Sequence, residues 1–126
     1  MLNVEQSEIP QSGEEKSRKT GKIAVTSTGG SMDAQVSEQF GRCQYFIIVD
    51  SETMKFEAIS NLGEQMQSGA GPKAAELIIN NGAKVLLTGR VGDKAEEALK
   101  KGEVKIVDGY KGTIKVKDAI SSYLSK

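Results

Sequence analysis

The sequence predicts one α/β domain of three layers, a mixed five-stranded sheet with helices on both faces. Three observations predict it. Short apolar runs at Ile23–Val25, Tyr45–Val49 and Val85–Leu87 suit buried strands. After residue 69 the apolar residues switch to helical spacing, and glycines at 82 and 102 close two of the helical stretches. The chain has 126 residues, 37% of them hydrophobic, enough for one core that folds without metal, disulfide or cofactor.

Taken in order, residues 1–21 are polar, carry Glu14, Glu15, Lys16, Arg18 and Lys19, and show no apolar period. They read as a flexible tail, either merely solvated or a docking segment for a partner, and the domain spans 22–126. Ile23-Ala24-Val25 is a buried strand that enters a loop at Thr26–Gly30. Tyr45–Val49 is the second strand, and Asp50–Thr53 turns it into a third at Lys55–Ser60 whose loose alternation marks an edge. A helix follows, with Pro72 in its first turn, Ala74, Leu77 and Ile78 on one face and Gly82 as its stop. Val85–Leu87 is a buried strand. Asp93 and Glu96 form a capping box for the next helix, which has Ala95, Ala98 and Leu99 as its stripe and Gly102 as its stop. Val104–Val107 is the last strand, and Val116, Ala119, Ile120, Tyr123 and Leu124 share one face of a closing helix.

The resulting order is βββαβαβα. Right-handed crossovers restrict it to strand order 3-2-1-4-5 with strand 2 antiparallel, the arrangement of ribonuclease H-like folds. Strands 1, 3, 4 and 5 then end on one edge of the sheet. That edge collects Thr28, Gly29, Gly30, Gly41, Gly63, Gly69, Gly71, Gly89, Gly92, Gly109 and Gly112, together with Arg42, Lys73, Arg90 and Lys111. Ligands of open α/β sheets bind outside the carboxyl ends of strands, and helix starts attract anions. The edge therefore reads as an anion-binding site, or else as glycines that let loops turn and cations that meet solvent.

Several functions are excluded. Charge balances at 17 basic against 17 acidic residues, so no overall field gathers nucleic acid or an anionic membrane. No apolar run is long enough for a membrane span and no secretory layout opens the chain, which points to the cytoplasm. Gly69–Ala74 matches G-x-G-x-x-A, but no strand leads into it, so a dinucleotide site is rejected. Lys22–Ser27 holds no carboxylate for two-metal nuclease chemistry. The chain has no histidine, the commonest general base, and Ser27 and Ser31 have nothing to activate them, so it is read as a binding protein and not an enzyme. A phosphoester hydrolase using Lys73 and Arg90 ranks last. Cys43 is the sole cysteine, either a thiolate metal ligand or a small buried hydrophobe, with Met32 and Met66 as soft sulfur nearby.

Over Lys22–Leu124 the chain resembles the dinitrogenase iron-molybdenum cofactor biosynthesis family, which includes NifX, NafY and the C-terminal region of NifB. The likeness rests on Lys22-Ile-Ala-Val-Thr26, Ser37-Glu-Gln-Phe-Gly-Arg-Cys-Gln-Tyr-Phe46, Gly69-Ala-Gly71 opening a helix, Gly89-Arg-Val-Gly92, and the strand reached through Gly102. It implies a ribonuclease H-like carrier of iron–sulfur–molybdenum clusters or their precursors, with cluster-assembly proteins as partners. The cofactor-binding residues would be Thr28, Gly29, Gly30, Phe40, Gly41, Arg42, Gly69, Gly71, Lys73, Gly89 and Arg90, with Cys43 as metal ligand. Where many relatives carry histidine before Phe-Gly this chain has Gln39, and where another often precedes Gly-Ala it has Gln67 and Ser68. The alternative is a regulatory or protein-interaction module that has lost cluster binding.

Overall fold

The computed structural model describes residues 21–61, 66 and 68–125, so the expected tail, Gly21 apart, lies outside the described residues. The elements are β1 (Lys22–Ser27), β2 (Tyr45–Asp50), β3 (Phe56–Ser60), α1 (Ala70–Asn80), β4 (Ala83–Leu87), α2 (Asp93–Lys101), β5 (Lys105–Val107) and α3 (Val116–Leu124). The sheet runs β3-β2-β1-β4-β5. β2 is antiparallel to both its neighbours, whereas β4 pairs in parallel with β1 and β5. This is the expected ribonuclease H-like order.

β1 lies at the centre because both its faces are apolar. Ala24 joins Phe46, Ile48 and Leu86 under α1 and α2, while Ile23 and Val25 join Ile47, Val49 and Leu87 under α3. A strand covered on both sides reads as a continuous apolar run, which is why alternation is missing from Ile23–Val25. Ile78 of α1, Leu99 of α2 and Ile120 of α3 are fully buried, and each such side chain contributes about 1.5–3 kcal/mol relative to exposure. β3, at the edge, has only Ile59 half-buried.

Three boundary expectations and one of burial are corrected. Asp93 is the first residue of α2 and not its cap: Gly92 caps it in extended conformation, with no side-chain cap hydrogen bond, so the capping box does not form. Val104 falls outside β5; it is buried, and its N–H donates to the Leu99 carbonyl at 3.0 Å, closing the end of α2. Lys55 belongs to the β2–β3 turn, where the Asp50 carboxylate accepts from the N–H of Glu52 at 2.9 Å. Leu124 is exposed, leaving Val116, Ala119 and Ile120 as the buried face of α3. Gly102 is the C-cap of α2, as expected, and it lies against Ile79 of α1. Its φ is −84°, and a Cβ there would lie 2.4 Å from Ile79 Cδ1 on α1; Glu103 takes the left-handed turn at φ 62°.

Candidate functional site

The carboxyl edge is organised around two buried hydroxyls. Thr26 and Thr88, at the ends of β1 and β4, are fully buried with their Oγ1 atoms 2.9 Å apart. Thr26 Oγ1 also bonds the Ser37 carbonyl at 2.6 Å, and the Ser37 N–H donates to the Thr26 carbonyl at 2.9 Å. These bonds satisfy groups that would otherwise be costly to bury, and they lay the segment after residue 36 across the edge. Gln39 pairs with Arg90 in a parallel bridge, and the Phe40 N–H donates to the Arg90 carbonyl at 3.0 Å. Phe40 turns into the core against Phe46, ring centroids 5.5 Å apart, leaving Gly41 and Arg42 at the surface.

On one side of this segment lies an open cleft of about 400 Å³. It is lined by Gly41 and Arg42, by Gly69–Pro72 at the start of α1, and by Gly92–Ala95 at the start of α2. Its walls depend on missing side chains. A Cβ at Gly41 would lie 3.0 Å from the Gly71 nitrogen, and one at Gly71 would lie 2.9 Å from Ala95 Cβ. Gly69, the N-cap of α1, holds φ 79°, a conformation that favours glycine. Both helices start without a side-chain cap. The first intrahelical donors are Lys73 N–H to Gly69 and Glu96 N–H to Gly92, so the amides of Ala70, Gly71, Asp93, Lys94 and Ala95 precede them. Among the described residues none of these five amides has a hydrogen-bond acceptor. Arg42 crosses the mouth, its Nη1 donating to the Met66 carbonyl at 2.5 Å. Asp93 puts one negative charge in the wall against the two positive charges of Arg42 and Lys94.

On the other side is a smaller groove of about 160 Å³ lined by Glu38, Gln39, Gly89, Arg90, Gly109, Tyr110 and Lys111. The Glu38 carboxylate accepts from the Gly112 N–H at 2.6 Å. Gly89 is required there, because a Cβ would lie 2.6 Å from both Cα and the carbonyl oxygen of Glu38. Burial pushes the Tyr110 phenol above its ordinary range, with Tyr123 adding to the shift.

The residues singled out in the sequence are thus divided. Gly41, Arg42, Gly69 and Gly71 meet in the larger cleft, and Gly89 and Arg90 meet in the smaller groove. Phe40 lies beneath both as core. Lys73 lies along α1, 3.5 Å from Glu76, beside a different hollow. Thr28, Gly29 and Gly30 sit on the α3 side, where Thr28 N–H bonds Gln35 and a Cβ at Gly29 would meet Ala34. Gly63 and Gln67 lie outside the described residues. Cys43 is 1% exposed within the core, its thiol donating to the Phe40 carbonyl at 3.3 Å. Among the described residues no three His, Cys, Asp or Glu side chains are grouped to hold a metal ion. Residue spacing offers no cue to the hydrogen bonds of Glu38, Thr88 or Asn61. Each is a polar residue whose partner lies far along the chain, Thr26 and Thr88 being 62 residues apart.

Fold and cleft together define a three-layer ribonuclease H-like domain with an open, glycine-walled recess at the carboxyl edge of its sheet. Residues 21–126 match the family described as dinitrogenase iron-molybdenum cofactor, and the chain belongs to that family. The apo form of the orange protein from Desulfovibrio gigas superposes with a TM-score of 0.80 at 38% identity, covering 82% of this chain and 87% of that one. A candidate NifB protein from Thermotoga gives 0.73 at 31% identity, covering 83% and 88%. An uncharacterized protein of Methanocaldococcus jannaschii is 31% identical over 94 residues, 71% of this chain and 77% of that one. No helix among the described residues is long and apolar enough to cross a membrane.

Proposed function

We propose that this domain binds and carries an anionic metal–sulfur cluster of the iron–molybdenum type, or a precursor of one, in the cleft between the starts of α1 and α2. One observation carries the reading: two helix starts without side-chain caps converge beside Arg42 in a single recess. Backbone N–H groups at helix starts carry partial positive charge and suit anionic acceptors. A preassembled cluster brings its own sulfide ligands, so its holder needs donors, positive charge and room more than thiolates. The cleft supplies these, and the enclosed Cys43 is not needed as a ligand.

Membership of a family described by the iron-molybdenum cofactor supports this cargo. So does the orange protein, since an apo form implies a loaded one. An open recess suits uptake and release, with cluster-assembly proteins as donor or acceptor. A carrier rather than an enzyme is also favoured by the chain's lack of histidine, which leaves its serines without the usual base.

The test is anaerobic incubation of the full chain with tetrathiomolybdate, alone and with ferrous iron and sulfide, followed by gel filtration and metal analysis. Molybdenum should co-elute with the protein and bring visible absorption. Arg42→Ala should weaken retention roughly tenfold, the scale of one charge-assisted contact. Absence of retained metal from the wild-type chain overturns the reading in favour of a protein-interaction module.

A further inference from the structure

Among the described residues, a side chain from the end of β3 bonds to the turn that carries Arg42 on both sides of it. Asn61, the residue after β3, is 5% exposed. Its Nδ2 donates to the Gly41 carbonyl at 3.1 Å and the Cys43 carbonyl at 2.9 Å, and lies 3.8 Å from Cys43 Sγ. In a trans peptide the C=O and the following N–H point in opposite directions. Two carbonyls drawn inward therefore turn the N–H groups of Arg42 and Gln44 away from Asn61. Bonds to both Gly41 and Cys43 fix the backbone on either side of Arg42, and with it the direction in which that side chain leaves.

We propose that Asn61 is the positioning residue of the cleft: its amide sets the Gly41–Cys43 turn so that Arg42 stands beside the two helix starts and Cys43 stays shut in the core. Its part in binding rests on the cluster reading above; its part in enclosing Cys43 does not. The role is separable from strand pairing. The backbone N–H of Asn61 donates to the Gln44 carbonyl at 3.0 Å and continues the β2–β3 ladder whatever the side chain. The side-chain amide is the part of Asn61 that bonds the Gly41 and Cys43 carbonyls.

The experiment compares full-length wild type, Asn61→Asp and Asn61→Ala by tetrathiomolybdate retention, by the rate at which Cys43 reacts with an aromatic disulfide reagent, and by denaturant unfolding. Aspartate keeps the shape but turns a carboxylate onto two carbonyls. At neutral pH both variants should bind the probe roughly tenfold more weakly, about the worth of one or two lost hydrogen bonds, and expose Cys43 to faster reaction. The Cys43 rate of Asn61→Asp relative to wild type should fall back on acidification, because the protonated acid can donate again; Asn61→Ala should show no such recovery. Asn61→Leu, which keeps about the same volume and lacks the donor, replaces either variant that does not fold.

Wild-type-like binding and wild-type-like Cys43 protection in the variants overturn the proposal. So does Cys43 reactivity that rises only as far as global unfolding accounts for, which would make Asn61 a plain fold residue. A wild-type chain that retains no probe, with Cys43 released in the variants, overturns the cluster reading and leaves the clamp standing.

Discussion

The start of α3 and the starts of α1 and α2 stand at the same edge of the sheet and are treated in opposite ways. At α3, the Val116 N–H donates to the Ala34 carbonyl at 2.8 Å and the Lys117 N–H to the Met32 carbonyl at 3.0 Å. The 28–36 loop thereby closes that helix start, reinforced by bridges from Val36 to Ser27 and from Gln35 to Lys115. Lys117 Nζ and the Asp33 carboxylate, 2.9 Å apart, add an exposed ion pair. At α1 and α2, glycines bring backbones close together, and no described carbonyl or side chain takes the first amides. A helix start offers partial positive charge only where the fold leaves its amides to a ligand. Three helices begin at this edge, and among the described residues nothing takes the first amides of two of them.

This contrast can be broken glycine by glycine. The largest effect is expected at Gly89, where the added carbon of Gly89→Ala meets the Glu38 backbone and not a movable side chain. The variant should lose roughly 2–3 kcal/mol in denaturant unfolding, the upper part of the overpacking range. Gly41→Ala presses more gently on the Gly71 backbone at 3.0 Å. It should lose about 1–2 kcal/mol and weaken tetrathiomolybdate retention by a larger factor than Gly89→Ala does, if the cleft is the site. On the α3 side, Gly29→Ala meets only Ala34 Cβ at 3.3 Å. Its unfolding midpoint should move by no more than about 0.5 kcal/mol equivalent, and retention should not change. A Gly29 variant as damaging to retention as Gly41→Ala would erase the distinction between the two sides.

The smallest effect concerns the Asp33–Lys117 pair. The hydrogen bond and charge of Lys117 hold the Asp33 carboxyl below the usual carboxylate range, and Asp33 raises Lys117 in return. A lowered carboxyl contributes stability above its unfolded value and loses it as pH falls through the folded value. A raised ammonium contributes below its unfolded value and loses it as pH rises through the folded one. Wild type should therefore exceed Asp33→Asn only between those acid and alkaline limits. With both side chains at least half exposed, the difference in thermal midpoint should vanish in high salt.

Much of the fold was legible because it follows from periods and punctuation. The apolar run Ile23–Val25 predicts a covered central strand, and right-handed crossovers turn βββαβαβα into the observed order. The reasons for particular residues were less legible. Gly102 reads as a helix stop and is the C-cap of α2, but its spacing does not reveal that Ile79 of α1 lies where a Cβ would go. Asp93 and Glu96 have capping-box spacing, yet Gly92 is the cap. Sequence spacing specifies which residues can meet along one helix, whereas these outcomes depend on which second element arrives.

The cleft shows the same division. The glycines and cations of the edge could be collected from strand direction alone, and the family resemblance could be read from the ordered motifs. Sorting them could not, because Lys73, Arg42 and Gly29 share an edge but are separated by the direction of a side chain and by the two faces of the sheet. Local periodicity and turn chemistry therefore determined the layers, the strand order and the glycine-rich edge. Only tertiary contact decided that the 28–36 loop would close α3, that Asn61 would hold the Arg42 turn, and that Cys43 would lie inside. Those outcomes are hydrogen bonds and close approaches between residues far apart in the chain, whose partners exist only once the sheet has assembled.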